Sequence, residues 1–419
     1  MLRSGVAVER GRTSGRTLLW ALAMLATTVA YGQEAAENRR SEIEAERIEK
    51  STRLTPQRPP KNEEKFQRFT ESDIFNRVLG PAAGLGVRLG GLPTGSGFAL
   101  GPRYYRPDLA GENLVFKAWA VGSVSQFYET AVSLGLPHLL HERATVEFAA
   151  ARNDSPALEY YGSGPKSDQK NRSSFRREQM DVRFIAGVRP LRRHLTLGFE
   201  TGYTPLNIGP GTRDGIPSSD QIFTAATAPG IQVQSSYTRV GPVVTLDRRD
   251  LPRDPHKGTF FEAKYLFYKG LDQEQFSFQK VSGVLEQYIP FLNEKRVIAL
   301  RARTEWNLTD RKHVVPFYMQ AVIGGSEDLR GYPRFRFYDD NAAAMSAEYR
   351  WEVMPALDMA LFADGGQVFS KRNHFDWDEM RGAGGFGFRL KNRNAVAVRL
   401  DFGFSREGYQ VWLKFGNTF

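Results

Sequence analysis

The residues best placed to do chemistry lie in Val322-Ile323-Gly324-Gly325-Ser326-Glu327-Asp328-Leu329-Arg330-Gly331-Tyr332, which presents one arginine between a leucine and a glycine-tyrosine pair. Glycines at 324, 325 and 331 let the backbone turn tightly or run close to a neighbouring surface, so Arg330 is carried on a compact loop. A guanidinium fixed in this way suits a bidentate hydrogen-bonded pair with a carboxylate. Catalytic signals are poor by comparison. The chain has no Cys, which removes disulfides, thiol nucleophiles and thiolate metal sites. Its histidines, at 138, 141, 194, 256, 313 and 374, fall at turns, strand starts or loops, and none is spaced with a Ser as a membrane hydrolase requires. Gly84-Leu85-Gly86 is followed by no Gly-Lys-Ser/Thr and makes no phosphate loop. Asp339-Asp340-Asn341 offers oxygen ligands to a cation, against the simpler reading of a solvated loop. We therefore assign no catalytic residue, no metal ligand and no cofactor, and expect no enzyme.

The elements that must hold Arg330 follow from composition. In 419 residues there are 40 Gly, 29 Phe and 16 Tyr, with only 41% hydrophobic residues. A mean hydropathy of -0.44 excludes a bundle of transmembrane helices. Abundant glycine and aromatics with modest hydropathy suit a membrane β-barrel, whose strands are apolar on one face only. At the N-terminus, Arg3, Arg10, Arg12 and Arg16 precede an apolar run from Leu18 to about Ala30, and Ala30-Tyr31-Gly32 supplies small residues for cleavage before Gln33. Residues 1–32 read as a signal peptide, with an uncleaved anchor as the alternative. No later apolar run reaches the ~20 residues of a spanning helix, so any span of the membrane is made of strands. Residues 1–32 hold four Arg and one Glu, so the formal charge of +10 falls by three to +7 in the mature chain. An anionic lipid surface is the fitting partner; no basic-aromatic module favours nucleic acid.

Residues 33–79 read as a charged, Pro-rich periplasmic tail, in which Phe66, Phe69, Ile74, Phe75, Val78 and Leu79 form a small apolar patch. From residue 80 onward, alternating apolar and polar segments are separated by Pro, Gly, Asn and Asp clusters. Strand starts are expected near Gly84, Phe98, Asn113, Ser125, Arg143, Arg177, His194, Ser236, Gly258, Gln275, Arg296, Ala342, Leu357, Ala383, Ala395 and Tyr409, sixteen in all. Alternation is plain in four of them. Tyr409, Val411, Leu413 and Phe415 oppose Gln410, Trp412 and Lys414, and Val396, Val398, Leu400 and Phe402 are expected outward of Arg399 and Asp401. Ile298, Leu300 and Trp306 alternate with Arg301, Arg303 and Glu305, and Ala347, Tyr349, Trp351 and Val353 with Ser346, Glu348, Arg350 and Glu352. A face carrying charges of both signs cannot meet lipid, so it lines a polar interior. Short turns alternate with longer loops near 152–176, 204–235, 307–341 and 366–382, which puts both ends of the barrel in the periplasm.

Gly324 to Tyr332 then falls between strands 11 and 12, in the sixth outer loop. Here the chain resembles the BamA, TamA and two-partner-secretion-transporter superfamily, also called the bacterial surface antigen family. In that family the sixth loop folds back into the barrel with an Arg-Gly-aromatic tip, which Leu329-Arg330-Gly331-Tyr332 after Ile323-Gly324-Gly325 matches. Leu246-Asp247-Arg248-Arg249-Asp250, with Pro252 and Lys257-Gly258-Thr259, resembles the segment joining strands 8 and 9. Phe362-Ala363-Asp364-Gly365-Gly366-Gln367-Val368 resembles the strand whose Asp receives the loop's Arg, and Phe415-Gly416-Asn417-Thr418-Phe419 resembles the closing strand. The resemblance covers residues 80–419 and implies an all-β, 16-stranded antiparallel transmembrane barrel of the Gram-negative outer membrane with an inward-folded sixth loop. It implies a lock made by Gly325, Leu329, Arg330, Gly331, Tyr332 and Asp364.

Relatives that move proteins carry docking modules, POTRA domains, of about 75 residues ahead of the barrel, and residues 33–79 are too few for one; the resemblance is to the short branch. Gly84, Gly86 and Gly90 weaken the first strand, which closes against the last, with Gly416 and Phe419. Two readings of that seam stay open: a lateral gate, or a strand that tolerates curvature. The expected function is insertion or translocation of protein, or lipid, with a passive channel as the alternative. Expected partners are outer-membrane lipid and lipopolysaccharide, unfolded outer-membrane proteins, and a separate periplasmic subunit bound through 33–79.

Overall fold

The computed structural model describes residues 83–415, apart from 94–95, 112, 192, 293–294, 355, 372–373 and 393–394, together with scattered positions between 45 and 72. The leader, nearly all of the tail with its apolar patch, and Gly416 and Phe419 of the seam lie outside the described residues.

Sixteen antiparallel strands form one sheet: β1 Gly84–Leu89, β2 Ala99–Leu109, β3 Leu114–Ser123, β4 Tyr128–His138, β5 Ala144–Tyr160, β6 Ser173–Val188, β7 Leu195–Thr204, β8 Tyr237–Asp247, β9 Gly258–Gly270, β10 Phe278–Phe291, β11 Arg296–Leu308, β12 Asn341–Met354, β13 Leu357–Phe369, β14 Arg381–Asn392, β15 Ala395–Ser405 and β16 Gly408–Phe415. Each pairs with its sequence neighbours in simple up-and-down order. Every observed start lies within four residues of its expected one. β7 is interrupted at Pro205, which has no N–H for the ladder, and resumes as Leu206–Pro210 paired with β6 alone.

The alternation holds where it was read, except at Val396. On β16, Tyr409, Val411 and Leu413 are 50–71% exposed while Trp412 is buried. On β13, Leu361 faces outward and Ala360, Phe362 and Asp364 are buried on the other side. Val396 departs from expectation: it is buried, not outward. Leu390 pairs with Val398 but Lys391 pairs with Val396, so Ala397 is an extra residue on β15, a bulge that re-aims the strand end. The Val396 amide donates to the Arg253 carbonyl at 3.2 Å, which seats the turn between β8 and β9 against that bulge.

The expected loop 152–176 is also corrected. β5 and β6 are 17 and 16 residues long, roughly 55 Å at the usual rise, so they stand well beyond a membrane that 9–11 tilted residues cross. Only 161–172 connects them. Their projecting ends, with loops four, five and six, enclose an apolar outer cluster built on Tyr160, Phe175, Phe317, Tyr318 and Tyr338. Asp339, read above as part of a solvated loop, is 6% exposed at the edge of this cap, in a hairpin of Ala321–Ile323 with Phe337–Asp339. Burial pushes its carboxyl up to about 6.

At the seam, β1 has six residues and pairs with β2. Among the described residues no ladder joins β1 to β16. Gly84 opens the strand at φ +88, Gly86 lies within it, and Gly90 follows it at φ +67. A Cβ on Gly90 would stand 3.2 Å from the Phe415 ring, so the two strand ends approach there.

Candidate functional site

The tip of loop six is seated by glycine geometry before any side chain acts. Gly324 and Gly325 take φ of +117 and +98, and a Cβ on Gly324 would lie 2.5 Å from the Pro333 carbonyl. These turns bring Leu329 and Tyr332, both buried, into an apolar group with Ile323, Phe337, Ala342, Ala344 and Val368. Gly331 lies against β15, where a Cβ would meet the Phe404 carbonyl at 2.5 Å, and Gly403 leaves room for the Arg330 carbonyl, 2.2 Å from where its own Cβ would stand. Two bare strand and loop positions thus let backbone touch backbone.

Arg330 is 2% exposed between these anchors. Its Nε donates to Asp364 Oδ2 at 2.8 Å and its Nη2 to Asp364 Oδ1 at 2.6 Å, a fork-to-carboxylate pair, and its backbone N–H adds a third bond at 3.1 Å. Nη1 bonds Glu348 on β12, and Nη2 reaches Ser346 Oγ at 2.7 Å. The guanidinium lies 3.5 Å above the Phe362 ring centroid, so the neighbouring apolar face is also cation-compatible. On the other side of the tip, Trp412 Nε1 of β16 donates to the Arg330 carbonyl at 2.7 Å, and Ser405 Oγ to that of Gly331 at 2.7 Å.

The network continues past the pair. Glu348 also accepts from Arg389 at 3.0 Å and Arg350 at 2.6 Å, and Asp401 accepts from Arg389 at 2.8 Å and Arg399 at 2.5 Å. Arg399 reaches back to the Ser326 carbonyl at 3.2 Å. Isolated charges in such a place would be prohibitively desolvated; mutual pairing is what allows them. Nearer the edge, Arg303 holds Asp328 at 2.7 Å and Lys414 holds Glu327 at 2.9 Å.

The structure therefore brings Gly325, Leu329, Arg330, Gly331, Tyr332 and Asp364 together, and places Gly84, Gly86 and Gly90 apart from them at the seam. Sequence reasoning missed Glu348, Ser346, Asp401 and Trp412. Glu348 and Ser346 stood on a strand face already read as inward, and Asp401 on another, so parity marked them as candidates but could not rank them. A second buried arginine of the loop was missed outright: Arg336 pairs with Glu407 of the last outer loop at 2.7 and 2.8 Å and with Ser167 of loop three at 3.0 Å. The segment joining β8 and β9 is self-bracing. Arg249 forks onto Asp247 at 3.0 and 2.8 Å, Asp250 accepts the His256 and Lys257 amides at 3.0 and 3.2 Å, and Gly258 sits at φ +108. That segment also brings Asp254 and His256 beside Asp358 of β13, three residues given no role in the sequence reading.

The Omp85 superfamily domain matches residues 109–419, about three quarters of the chain. No curated protein matches. Among solved structures, BamA from Haemophilus ducreyi lacking POTRA domains 1-3 superposes with a TM-score of 0.55 at 12% identity, over 81% of this chain and 68% of that one. CdiB from Acinetobacter baumannii gives 0.48 at 12% over 75% and 55%, and CdiB from Escherichia coli 0.48 at 15% over 79% and 60%. This chain thus spans little more than half the length of the CdiB structures. At such identities a shared fold is what superposition establishes, while the domain match spans fourteen and more of the strands, including loop six and β13. The chain belongs to the Omp85 superfamily, as a 16-stranded β-barrel of the Gram-negative outer membrane.

Proposed function

We propose that this barrel inserts protein into the outer membrane, or passes it across, by opening between β1 and β16, and that loop six locks the wall opposite the weak strand. The observation that carries this reading is a single loop tip tied at once to three strands: Arg330 to Glu348 on β12 and Asp364 on β13, and its carbonyl to Trp412 on β16. A last strand fastened in this way cannot move far unless the tip moves with it. The other side of the seam is six residues with two glycines, which lose packing and cost entropy in a strand. The substrates in this reading are unfolded outer-membrane strands or lipid, the outer face meets lipopolysaccharide, and residues 33–79 dock a separate periplasmic subunit.

The test uses the absence of native cysteine, so that Gly90→Cys with Phe415→Cys introduces the sole thiol pair of the chain. Joined by a short thiol-reactive cross-linker, the pair should block assembly of other barrels in cells. Trp412→Phe, which removes one hydrogen bond worth about 1 kcal/mol, should speed the linking reaction. Unchanged assembly, with a large steady conductance that persists in the cross-linked protein, would overturn the reading in favour of a passive channel.

A further inference from the structure

The turn between β8 and β9 brings Asp254 and His256 against Asp358 of β13, a cluster outside the loop-six network. We propose that Asp254, His256 and Asp358 form a binding site for one divalent transition-metal cation, Zn²⁺ being the ion their chemistry fits, at the periplasmic mouth. Their ligand atoms lie within 4.8 Å of one another. Donors 2.0–2.2 Å from a Zn²⁺ ion stand at most about 4.4 Å apart, so a small contraction of the turn completes the set.

Three independent features point to a cation. His256 Nδ1 lies 2.9 Å from the Asp254 carbonyl oxygen, which can only accept. Nδ1 therefore donates there, which leaves Nε2 as the nitrogen whose lone pair is available to a metal, the arrangement found behind metal-bound imidazoles. Asp358 is 6% exposed, and its Oδ1 accepts no hydrogen bond, so a buried carboxylate oxygen is left wanting a positive partner. These residues line a cavity of about 10 Å³, room for one ion or one water.

Two buried carboxylates face the Lys391 ammonium, whose Nζ lies 2.9 Å from Asp358 Oδ2 and 3.7 Å from Asp254 Oδ2, with the Arg350 guanidinium also on the cavity wall. Of the other charged groups lining the cavity, Arg350 donates to Glu348 at 2.6 Å and Lys295 sits 3.8 Å from Glu352. Lys391 is thus the competitor that an incoming cation displaces from Asp358. A metal here would join the β8–β9 turn to β13 and would tighten the same region that the Arg253–Val396 hydrogen bond seats against β15.

The experiment is a calorimetric titration of ZnCl₂ into the purified full chain in detergent, with MgCl₂ in parallel. One saturable Zn²⁺ site is expected, with an unfolding midpoint that rises as Zn²⁺ is added. Mg²⁺ should bind far more weakly, since imidazole favours transition metals. His256→Ala should weaken Zn²⁺ binding by about tenfold or more, as loss of a ligand or its support does, while His313→Ala in the outer loops leaves it unchanged. Lys391→Met removes the competitor and should tighten binding, a gain that a merely structural role for this cluster does not produce. Retention of the compact, unheated electrophoretic form shows that each variant is folded. Equal Zn²⁺ affinity in folded wild type and folded His256→Ala, or weaker binding in Lys391→Met, overturns the proposal.

Discussion

The two flanks of the barrel seam are built by opposite means. Behind β16, Arg330 of loop six and Arg350, Arg389 and Arg399 of strands β12, β14 and β15 meet Glu348, Asp364 and Asp401, all buried and bonded to one another. On the other flank, β1 offers six residues, and Arg88 finds a partially exposed pair, 3.6 Å from Glu129, over the Trp119 ring. The difference teaches that fixing a wall inside a wet lumen takes charges that have given up their water and found replacements. A charge that keeps its water restrains little, because solvent screens it and side-chain entropy opposes holding it still.

The comparison is broken most directly at Arg330. Arg330→Ala leaves Asp364 and Glu348 buried without their shared cation, and we expect a loss of about 3–5 kcal/mol, read as a lower urea midpoint of the detergent-folded barrel. An Arg330→Asp, Asp364→Arg exchange should not restore it, because the new aspartate would face Glu348; recovery of the wild-type midpoint would show that the Asp364 contact alone matters. Next in size is Gly403→Ala. Its methyl would stand 2.2 Å from the Arg330 carbonyl, so the tip must lift at a cost of about 1–3 kcal/mol, and protease should cut loop six faster while β1 and β2 keep their protection.

The outer hairpin supplies a pH-dependent version of the same contrast. Asp339 is held up to about 6 by burial, above the usual ~3.9 of an unfolded aspartate, so the folded hairpin keeps a proton that the open chain has lost. Protection is therefore greatest at about pH 4 and declines as pH rises to about 6, staying at its lower level beyond, a span of up to about 3 kcal/mol. Amide exchange of Tyr338 and Asp340, corrected for intrinsic rate, should slow between pH 7 and pH 5, and Asp339→Asn should abolish that response. The smallest effect should come from Arg193, which forks onto Glu142 at 3.3 and 2.5 Å with its side chain 71% exposed. Arg193→Ala should leave the midpoint close to that of the wild type, because solvent screens an exposed pair. A loss as large as that of Arg330→Ala would mean that dryness is not what separates the two pairs.

Much of this protein was settled by sequence alone. A period of two, with Leu361 and Val411 outward and Asp364 and Trp412 inward, fixes strands, faces and a polar interior, since side chains on a pleated chain must alternate. Counting strands put Arg330 on the sixth loop, and the resemblance to the surface antigen family, not parity, implied Asp364 as its partner. Parity fails wherever the ladder gains a residue, as at Ala397, which turned Val396 inward and could not be foreseen from pattern. Nor could it show that β5 and β6 run past the membrane, because a strand in a loop cap alternates like any other. Only the tertiary structure decided which inward groups meet: Glu348, Asp401 and Trp412 reach one loop tip from β12, β15 and β16, and Asp254, His256 and Asp358 meet although about a hundred residues separate the turn from β13. The physical reason is that strand period is a local property of the backbone, whereas contact across a lumen depends on shear, curvature and the path of a returning loop, which no short stretch of sequence contains.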